Sequence, residues 1–186
     1  MAEGASVKGT HSMYKKLLPE VEPMVNVMSV PKSFLTMHYL ENYATKEILV
    51  GMYHDEDHLK WILGNNDKGT LIYNIRLDKT RQVSIPQSHL LKKEVAFVLL
   101  YEDGHQSENN YRVFRVHHHA TMTEDRMRKA RYPKDPQGKY FCYVFSEEVT
   151  LGNLDVARLL SEEQTKSSYI AGAPLFLTGE ELIQYR

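Results

Sequence analysis

The sequence predicts an α+β fold: a small β-barrel of five to seven mostly antiparallel strands, with short helices in the connections and at the C-terminus. Two observations favour this fold. From residue 33 onward, runs rich in aliphatic and aromatic residues are bounded by turn-forming residues, which is typical of strands. The segments with helix signals are short, and they do not alternate regularly with these runs as they would in a parallel βαβ sheet.

Six strands are predicted from the apolar runs. They cover residues 33–43, 46–53, 70–77, 94–101, 111–119 and 139–145. The run 94–101 is apolar at nearly every position, so we expect a strand that is covered on both faces and is among the most buried elements. Polar turn formers fill residues 102–110, which predicts a long hairpin loop between two strong strands.

Short helices are predicted from capping signals. They cover residues 55–63, 121 to about 131, 154–160 and 180–185. The first has acidic side chains in its first turn and Gly64 directly after its end. Thr121 and Thr178 each open the pattern Thr-x-x-Glu, the capping box that begins many helices. Asn153 is the expected cap of the third helix.

The length of 186 residues indicates one domain and a tail. We expect a single domain over residues 33–186 and a partly ordered N-terminal arm over residues 1–32. Pro19, Pro23 and Pro31 lie in this arm and prevent a long helix, because proline lacks a backbone donor and fixes φ.

The composition narrows the class of function. Lys and Arg number 23 against 24 Asp and Glu, which excludes a protein that coats nucleic acid through bulk positive charge. No apolar run approaches the ~18 residues of a membrane helix, and no secretory leader is visible. We therefore expect an intracellular protein, cytoplasmic or nuclear, with no membrane partner. The single cysteine, Cys142, excludes an internal disulfide framework.

No common catalytic motif occurs in the sequence, so we expect no enzymatic function, no catalytic residue and no cofactor. The nine histidines leave one alternative, a histidine-dependent metal enzyme. His54 and His58 are four residues apart on a predicted helix, and one of the strand histidines 117–119 could complete a zinc site. Asp55 stands where the metalloprotease motif has its glutamate, so hydrogen-bonded structural histidines are favoured and no metal is expected.

The most uneven charge lies in residues 126–134, of which five are basic. With two arginines of the preceding strand they predict a positive edge that contacts nucleic acid, beside aromatic side chains suited to stacking. The candidate residues are Arg112, Arg115, Arg126, Arg128, Lys129 and Arg131. The alternative stays open, because cations at a helix C-terminus complement the helix dipole and need no ligand.

The order of elements in the C-terminal half resembles a known family. The apolar strand 95–101 leads through a polar loop to Tyr-Arg-Val-Phe-Arg-Val at 111–116, then to a basic helix and the strand 140–145. Glu-Val-Thr-Leu at 148–151, a short helix and Ala-Pro-Leu-Phe-Leu-Thr at 173–178 precede the final helix. This order resembles the EVE and ASCH branches of the PUA-like superfamily. The resemblance implies a PUA-like barrel whose concave face accepts a base, often a modified one, in DNA or RNA.

The function expected from this resemblance is a non-enzymatic domain that binds RNA or DNA carrying a modified base. The candidates for the ligand pocket are Trp61, Tyr101, His118 and Tyr140. Trp61 has a second interpretation as a core residue of its helix. The alternative function, from a different class, is an interaction or regulatory domain with a purely structural barrel and a protein partner.

Overall fold

The computed structural model describes residues 33–35, 37–77, 94–166 and 174–186. The predicted N-terminal arm, residues 1–32, lies outside the described residues. Within them, no helix is both long enough and apolar enough to cross a membrane.

In the described part of the chain, seven strands form one curled, mixed sheet with the shape of a half-barrel. They are β1 (Ser33–Leu35), β2 (Ile48–Tyr53), β3 (Ile72–Arg76), β4 (Phe97–Glu102), β5 (Tyr111–Met122), β6 (Tyr140–Leu151) and β7 (Leu175–Leu177). Their order is β1-β6-β5-β4-β2-β7, and β3 also pairs with β6. Four pairs are antiparallel, and two, β1 with β6 and β2 with β4, are parallel. The prediction of an α+β fold with a mostly antiparallel curled sheet is confirmed.

Five short α-helices lie among the described residues. They are α1 (Met37–Leu40), α2 (Glu56–Ile62), α3 (Glu124–Lys129), α4 (Val156–Gln164) and α5 (Gly179–Ile183). The predicted start of α5 is confirmed, because the Thr178 hydroxyl accepts from the Glu181 amide at 3.1 Å while the Glu181 carboxylate accepts from the Thr178 amide at 2.8 Å. The acidic start of α2 is also confirmed, since the Asp55 carboxylate accepts from the His58 amide at 2.9 Å.

Strand β4 is buried on both faces, as its apolar sequence predicts. Val98 and Leu100 belong to a first core cluster, which includes Trp61 of α2 and Met127 of α3. Alternate residues of β4, such as Leu99, belong to a second core cluster that includes residues of α1, α4 and α5. Side chains of a strand alternate between the two faces, so each face of β4 faces its own core.

The predicted strand 33–43 is wrong beyond Leu35, because α1 covers Met37–Leu40. Tyr39 and Tyr43 are four residues apart, and their rings meet edge to face at 5.7 Å, while Leu40 is buried. Aromatic and aliphatic residues in this run satisfied helical spacing as well as strand propensity, and tertiary packing decided between the two.

Two predicted helix starts are also wrong. Strand β5 continues to Met122, paired with Tyr140, so the cap of α3 is Thr123 and not Thr121. The cap of α4 is Asp155 and not Asn153, and the helix runs to Gln164. In both cases a second capping residue lies two positions further on, and the pairing or packing of the neighbouring elements selects it.

Candidate nucleic-acid interface

The predicted basic edge is centred on α3, which ends in a tight turn. Ala130 is the C-terminal cap, and Arg131 follows with φ 59, in the left-handed region. The Tyr132 amide donates to the Met127 carbonyl at 3.1 Å, and the Arg131 amide donates to the Arg128 carbonyl at 2.9 Å. These two bonds define a Schellman motif, in which glycine usually occupies the left-handed position.

Most of the predicted cations are neutralised within the fold. The closest pairs are Arg112 with Glu148 at 3.1 Å, Arg115 with Glu147 at 2.8 Å, Arg126 with Asp67 at 2.8 Å and Arg128 with Asp125 at 3.2 Å. The first two join β5 to β6 across the strands. These four arginines therefore have structural partners, although their side chains are still partly exposed.

Lys129 and Arg131 differ from the other predicted cations. Both are exposed, and neither has a carboxylate within ion-pair distance among the described residues. They are two residues apart at the end of α3, a segment that we call the α3 end. Of the predicted basic edge, the α3 end is the part that presents uncompensated positive charge.

The α3 end lies on an aromatic layer. The Trp61 indole N–H donates to the Ala130 carbonyl at 2.8 Å, so the buried tryptophan of α2 binds the C-terminal cap of α3. The Tyr132 ring meets Trp61 edge to face at 5.1 Å and lies 5.8 Å from the Tyr140 ring. This layer fixes the backbone from which Lys129 and Arg131 project.

A chain of buried hydrogen bonds continues from this layer. The His54 amide donates to His58 Nδ1 at 3.2 Å, so Nε2 carries the proton and donates to Asn74 Oδ1 at 3.0 Å. Asn74 Nδ2 in turn donates to the Tyr132 hydroxyl at 3.3 Å. Burial lowers the pKa of His58 to about 4, although its bond to Asn74 acts in the opposite direction. His58 is therefore neutral at physiological pH.

The predicted pocket residues lie in different environments. Trp61 and Tyr140 are buried in the first core cluster, and both lie near Tyr132. Tyr101 is buried in the second core cluster, and His118 is exposed on β5. The polar atoms of the first two are occupied, because Trp61 donates to Ala130 and the Tyr140 hydroxyl accepts from the Gln137 amide at 2.9 Å.

Cys142 and His58 lie in environments that suit a structural role. Cys142 is fully buried on β6, and burial raises the pKa of its thiol to about 12, far from thiolate chemistry. Among the described residues, no group of three histidine, cysteine or carboxylate side chains is arranged to hold a metal ion. Both ring nitrogens of His58 are hydrogen-bonded inside the protein, which does not suit the zinc site that the sequence left open.

Two residues of this region were missed by the sequence analysis. Asn74 is a polar residue within the apolar strand Ile72–Arg76, and that interruption is the signal that could have identified it. Tyr143 is buried with a hydroxyl that has no hydrogen-bond partner among the described residues. An orphaned hydroxyl depends on the packing of several strands, so no sequence pattern predicts it.

Comparisons with known proteins give a likeness to a solved structure and no match to a family model or a curated protein. The chain is similar to the crystal structure of a mutant of ZmASCH from Zymomonas mobilis, with a TM-score of 0.45 and 10% sequence identity. The match covers 75% of this chain and 94% of that chain. At that level of similarity it carries no argument about function.

Proposed function

We propose that this chain is a PUA-like nucleic-acid-binding domain that contacts phosphates through the α3 end. The observation that carries the proposal is Arg131, an exposed arginine without an ion-pair partner among the described residues, at a left-handed backbone position. A side chain other than glycine costs about 1–2 kcal/mol in this conformation. Among the described residues no ion pair of Arg131 offsets this cost, and contact with a ligand would account for a guanidinium there.

The other left-handed residue that is not glycine supports this argument by contrast. Asn109 has φ 54, and its side-chain oxygen accepts from the Val156 amide at 2.7 Å. It therefore satisfies the first amide of α4 from the hairpin loop, beside the cap Asp155, which is a structural use of its conformation. Arg131 has no such use among the described residues. Its planar, permanently charged fork suits a phosphate better than any other side chain.

The rigidity of the α3 end also supports phosphate binding. Trp61 holds the Ala130 carbonyl, and the Schellman turn fixes Arg131 and Tyr132. A backbone held in one conformation lowers the entropy cost of binding, since less order has to be created when the ligand arrives.

We also propose that the half-barrel binds a base. The order of elements from β4 to α5 supports this, because it is the order that the PUA-like resemblance implies. Aromatic side chains are abundant in the first core cluster, and the Tyr143 hydroxyl there has no partner among the described residues. Buried polar groups in native proteins are nearly always satisfied, so a water molecule or a ligand group is expected at this hydroxyl. A modified base that supplies this group is our proposal for the specific ligand.

A protein partner remains the second candidate function because of one observation. Phe34 on β1 is 65% exposed, and a large exposed apolar side chain favours contact with another protein. Tyr39, which is 38% exposed, is the other large exposed apolar side chain among the described residues. Two residues make a small surface, so nucleic-acid binding is the function that the geometry supports better.

Reversing the charge of the α3 end should weaken nucleic-acid binding without regard to sequence. We expect Lys129→Glu/Arg131→Glu to lower the affinity for a single-stranded oligonucleotide at least about tenfold. It should also flatten the slope of log affinity against log salt by about 1.4, because each lost phosphate contact removes about 0.7 from that slope. Fluorescence anisotropy over a salt series measures both, with labelled DNA and RNA of matched sequence in parallel.

The matched control makes the same change of charge elsewhere. Arg186→Glu reverses one exposed arginine beside α5, which packs in the second core cluster, and it is compared with the single variant Arg131→Glu. This control should bind as the parent does. Equal affinity and equal slope for the folded α3-end variant and the parent would contradict phosphate binding at this site. A parent that binds neither nucleic acid would favour the protein partner.

A further inference from the structure

Three consecutive exposed histidines lie on β5, the strand that precedes α3. His117, His118 and His119 lie in the second half of β5 and are exposed. The rings of His117 and His118 lie 5.0 Å apart, and the His119 ring stacks on Phe141 at 5.1 Å. No ring nitrogen of the three has a hydrogen-bond partner among the described residues.

A local irregularity of the strand accompanies these side chains. The pairing of β5 with β6 shifts between Val116 and His118, so His117 is the extra residue of a β-bulge. A bulge interrupts the alternation of side chains and changes the direction in which they project. The sequence predicts that His117 and His119 share a face opposite to His118, but this shift removes the regular alternation on which that prediction rests.

The strand register connects the histidines to the α3 end. His119 pairs with Tyr143, and Met122 pairs with Tyr140. Three residues of strand, roughly 10 Å, therefore separate His119 from Met122. Thr123 caps the start of α3, and the α3 end is reached through Tyr140, whose ring lies 5.8 Å from the ring of Tyr132, the residue after Arg131. An extended nucleic-acid backbone that contacts the α3 end can therefore also reach this part of β5.

Few negative charges near the three histidines would repel an anion. On β6, the residues paired with His118 and His119 are Val144 and Tyr143, and both are uncharged at neutral pH. The nearest carboxylates along β6 are neutralised, Glu147 by Arg115 at 2.8 Å and Glu148 by Arg112 at 3.1 Å. On α3, Arg128 lies 3.2 Å from Asp125 and 3.6 Å from Glu124. None of the described carboxylates lies within ion-pair distance of the three histidines.

We propose that His117, His118 and His119 form a second phosphate-contacting site that binds when its imidazoles are protonated. The inference rests on the proposed function, because the ligand is the same nucleic-acid backbone that contacts the α3 end. Histidine is the side chain whose charge changes between about pH 5 and pH 8. Each protonated imidazole that meets a phosphate displaces counterions, as a lysine or an arginine does.

The test compares oligonucleotide binding at about pH 5.5 and about pH 7.5, at constant ionic strength and with a chelator present to exclude bridging metal ions. The parent should bind at least about fivefold more tightly at the lower pH, with a salt slope steeper by about 0.7 or more. His117→Gln/His118→Gln/His119→Gln should bind as the parent does at the higher pH and lose the gain at the lower pH. The lower limit stays above the pKa of His58, about 4, so the buried network remains neutral.

Two further variants complete the experiment. His105→Gln removes an exposed histidine of the hairpin loop, which pairs with Glu108 at 2.6 Å, and it should keep the pH dependence of the parent. His117→Lys/His118→Lys/His119→Lys fixes the charge and should bind equally well at both pH values. It also covers the case in which the triple glutamine variant fails to fold.

Each outcome decides between the two proposals. A folded triple variant with the pH dependence of the parent, or a loss of affinity that is equal at both pH values, overturns the histidine site and leaves the proposed function intact. A parent without oligonucleotide binding at either pH overturns the proposed function, and the histidine site with it.

Discussion

Acidification to pH 4 is expected to remove about 3 kcal/mol from the free energy of unfolding through His58 alone. The pKa of this histidine is about 4 in the folded protein and 6.5 as the ordinary value of an unfolded chain. A histidine with a lowered folded pKa binds fewer protons when folded, so its contribution to stability is complete above pH 6.5 and is lost as the pH falls toward 4. The difference between these two pKa values corresponds to about 3 kcal/mol.

The physical reason is the direction of the hydrogen bonds. His58 Nδ1 accepts from the His54 amide, and a proton on Nδ1 would place two donors against each other. His58 is 2% exposed, so water cannot compensate for the lost bond or solvate the new charge. The buried chain to Asn74 and Tyr132 would then be disrupted close to the α3 end.

Denaturant unfolding at a series of pH values measures this effect. His58→Gln keeps a donor for Asn74 Oδ1 but does not titrate, so its stability should fall less than that of the parent as the pH falls below about 6.5. His118→Gln removes an exposed histidine of β5, away from this network, and should follow the parent. Equal losses for His58→Gln and the parent would show that His58 is not buried in its neutral form.

Replacing Gly179 by alanine should destabilise the protein by about 3 kcal/mol or more, because two helices approach closely at this position. A Cβ atom on Gly179 would lie 1.7 Å from the Leu40 carbonyl oxygen, which belongs to the backbone of α1 and cannot rotate away. The Gly179 amide also donates to the Tyr43 carbonyl at 2.8 Å. Separating α5 from α1 would therefore lose this bond and open the second core cluster.

Gly104→Ala is the matched control for this glycine. Gly104 has φ +81 and nothing within 4 Å of an added Cβ, so alanine there should cost only about 1 kcal/mol through backbone strain. Thermal and denaturant unfolding compare the two variants. A Gly179→Ala protein within about 1 kcal/mol of the parent would contradict the packing of α5 on α1.

Local signals in the sequence were sufficient for the elements that depend on few neighbours. The apolar run of β4 predicted burial on both faces, and Thr178 with Glu181 predicted the start of α5. Local signals were not sufficient where two neighbouring residues could each begin the same helix. Thr121 and Thr123 can both cap a helix, and the pairing of Met122 with Tyr140 decides between them. That pairing joins residues 18 positions apart and is not visible in a local pattern.

The basic edge shows the same limit for the candidate site. The sequence identified Arg112 and Arg115 as cations, but their partners lie on β6, 36 and 32 residues further along the chain. Only the strand register shows that Glu148 and Glu147 face them. The left-handed backbone of Arg131 is a second feature without a sequence signal, since glycine is the residue that marks such a position.

The most direct test of the α3 end as a phosphate site is Arg131→Gly, measured for stability and for oligonucleotide affinity in the same buffer. Relief of the left-handed strain, less the entropy cost of glycine, should raise the free energy of unfolding by about 0.5–1 kcal/mol. The loss of one phosphate contact should at the same time lower the affinity and flatten the salt slope by about 0.7. Arg131→Lys, which keeps the charge and the strain, should change neither the stability nor the slope. Higher stability with lower affinity is the predicted result for Arg131→Gly, and unchanged affinity and slope in that variant would contradict the account.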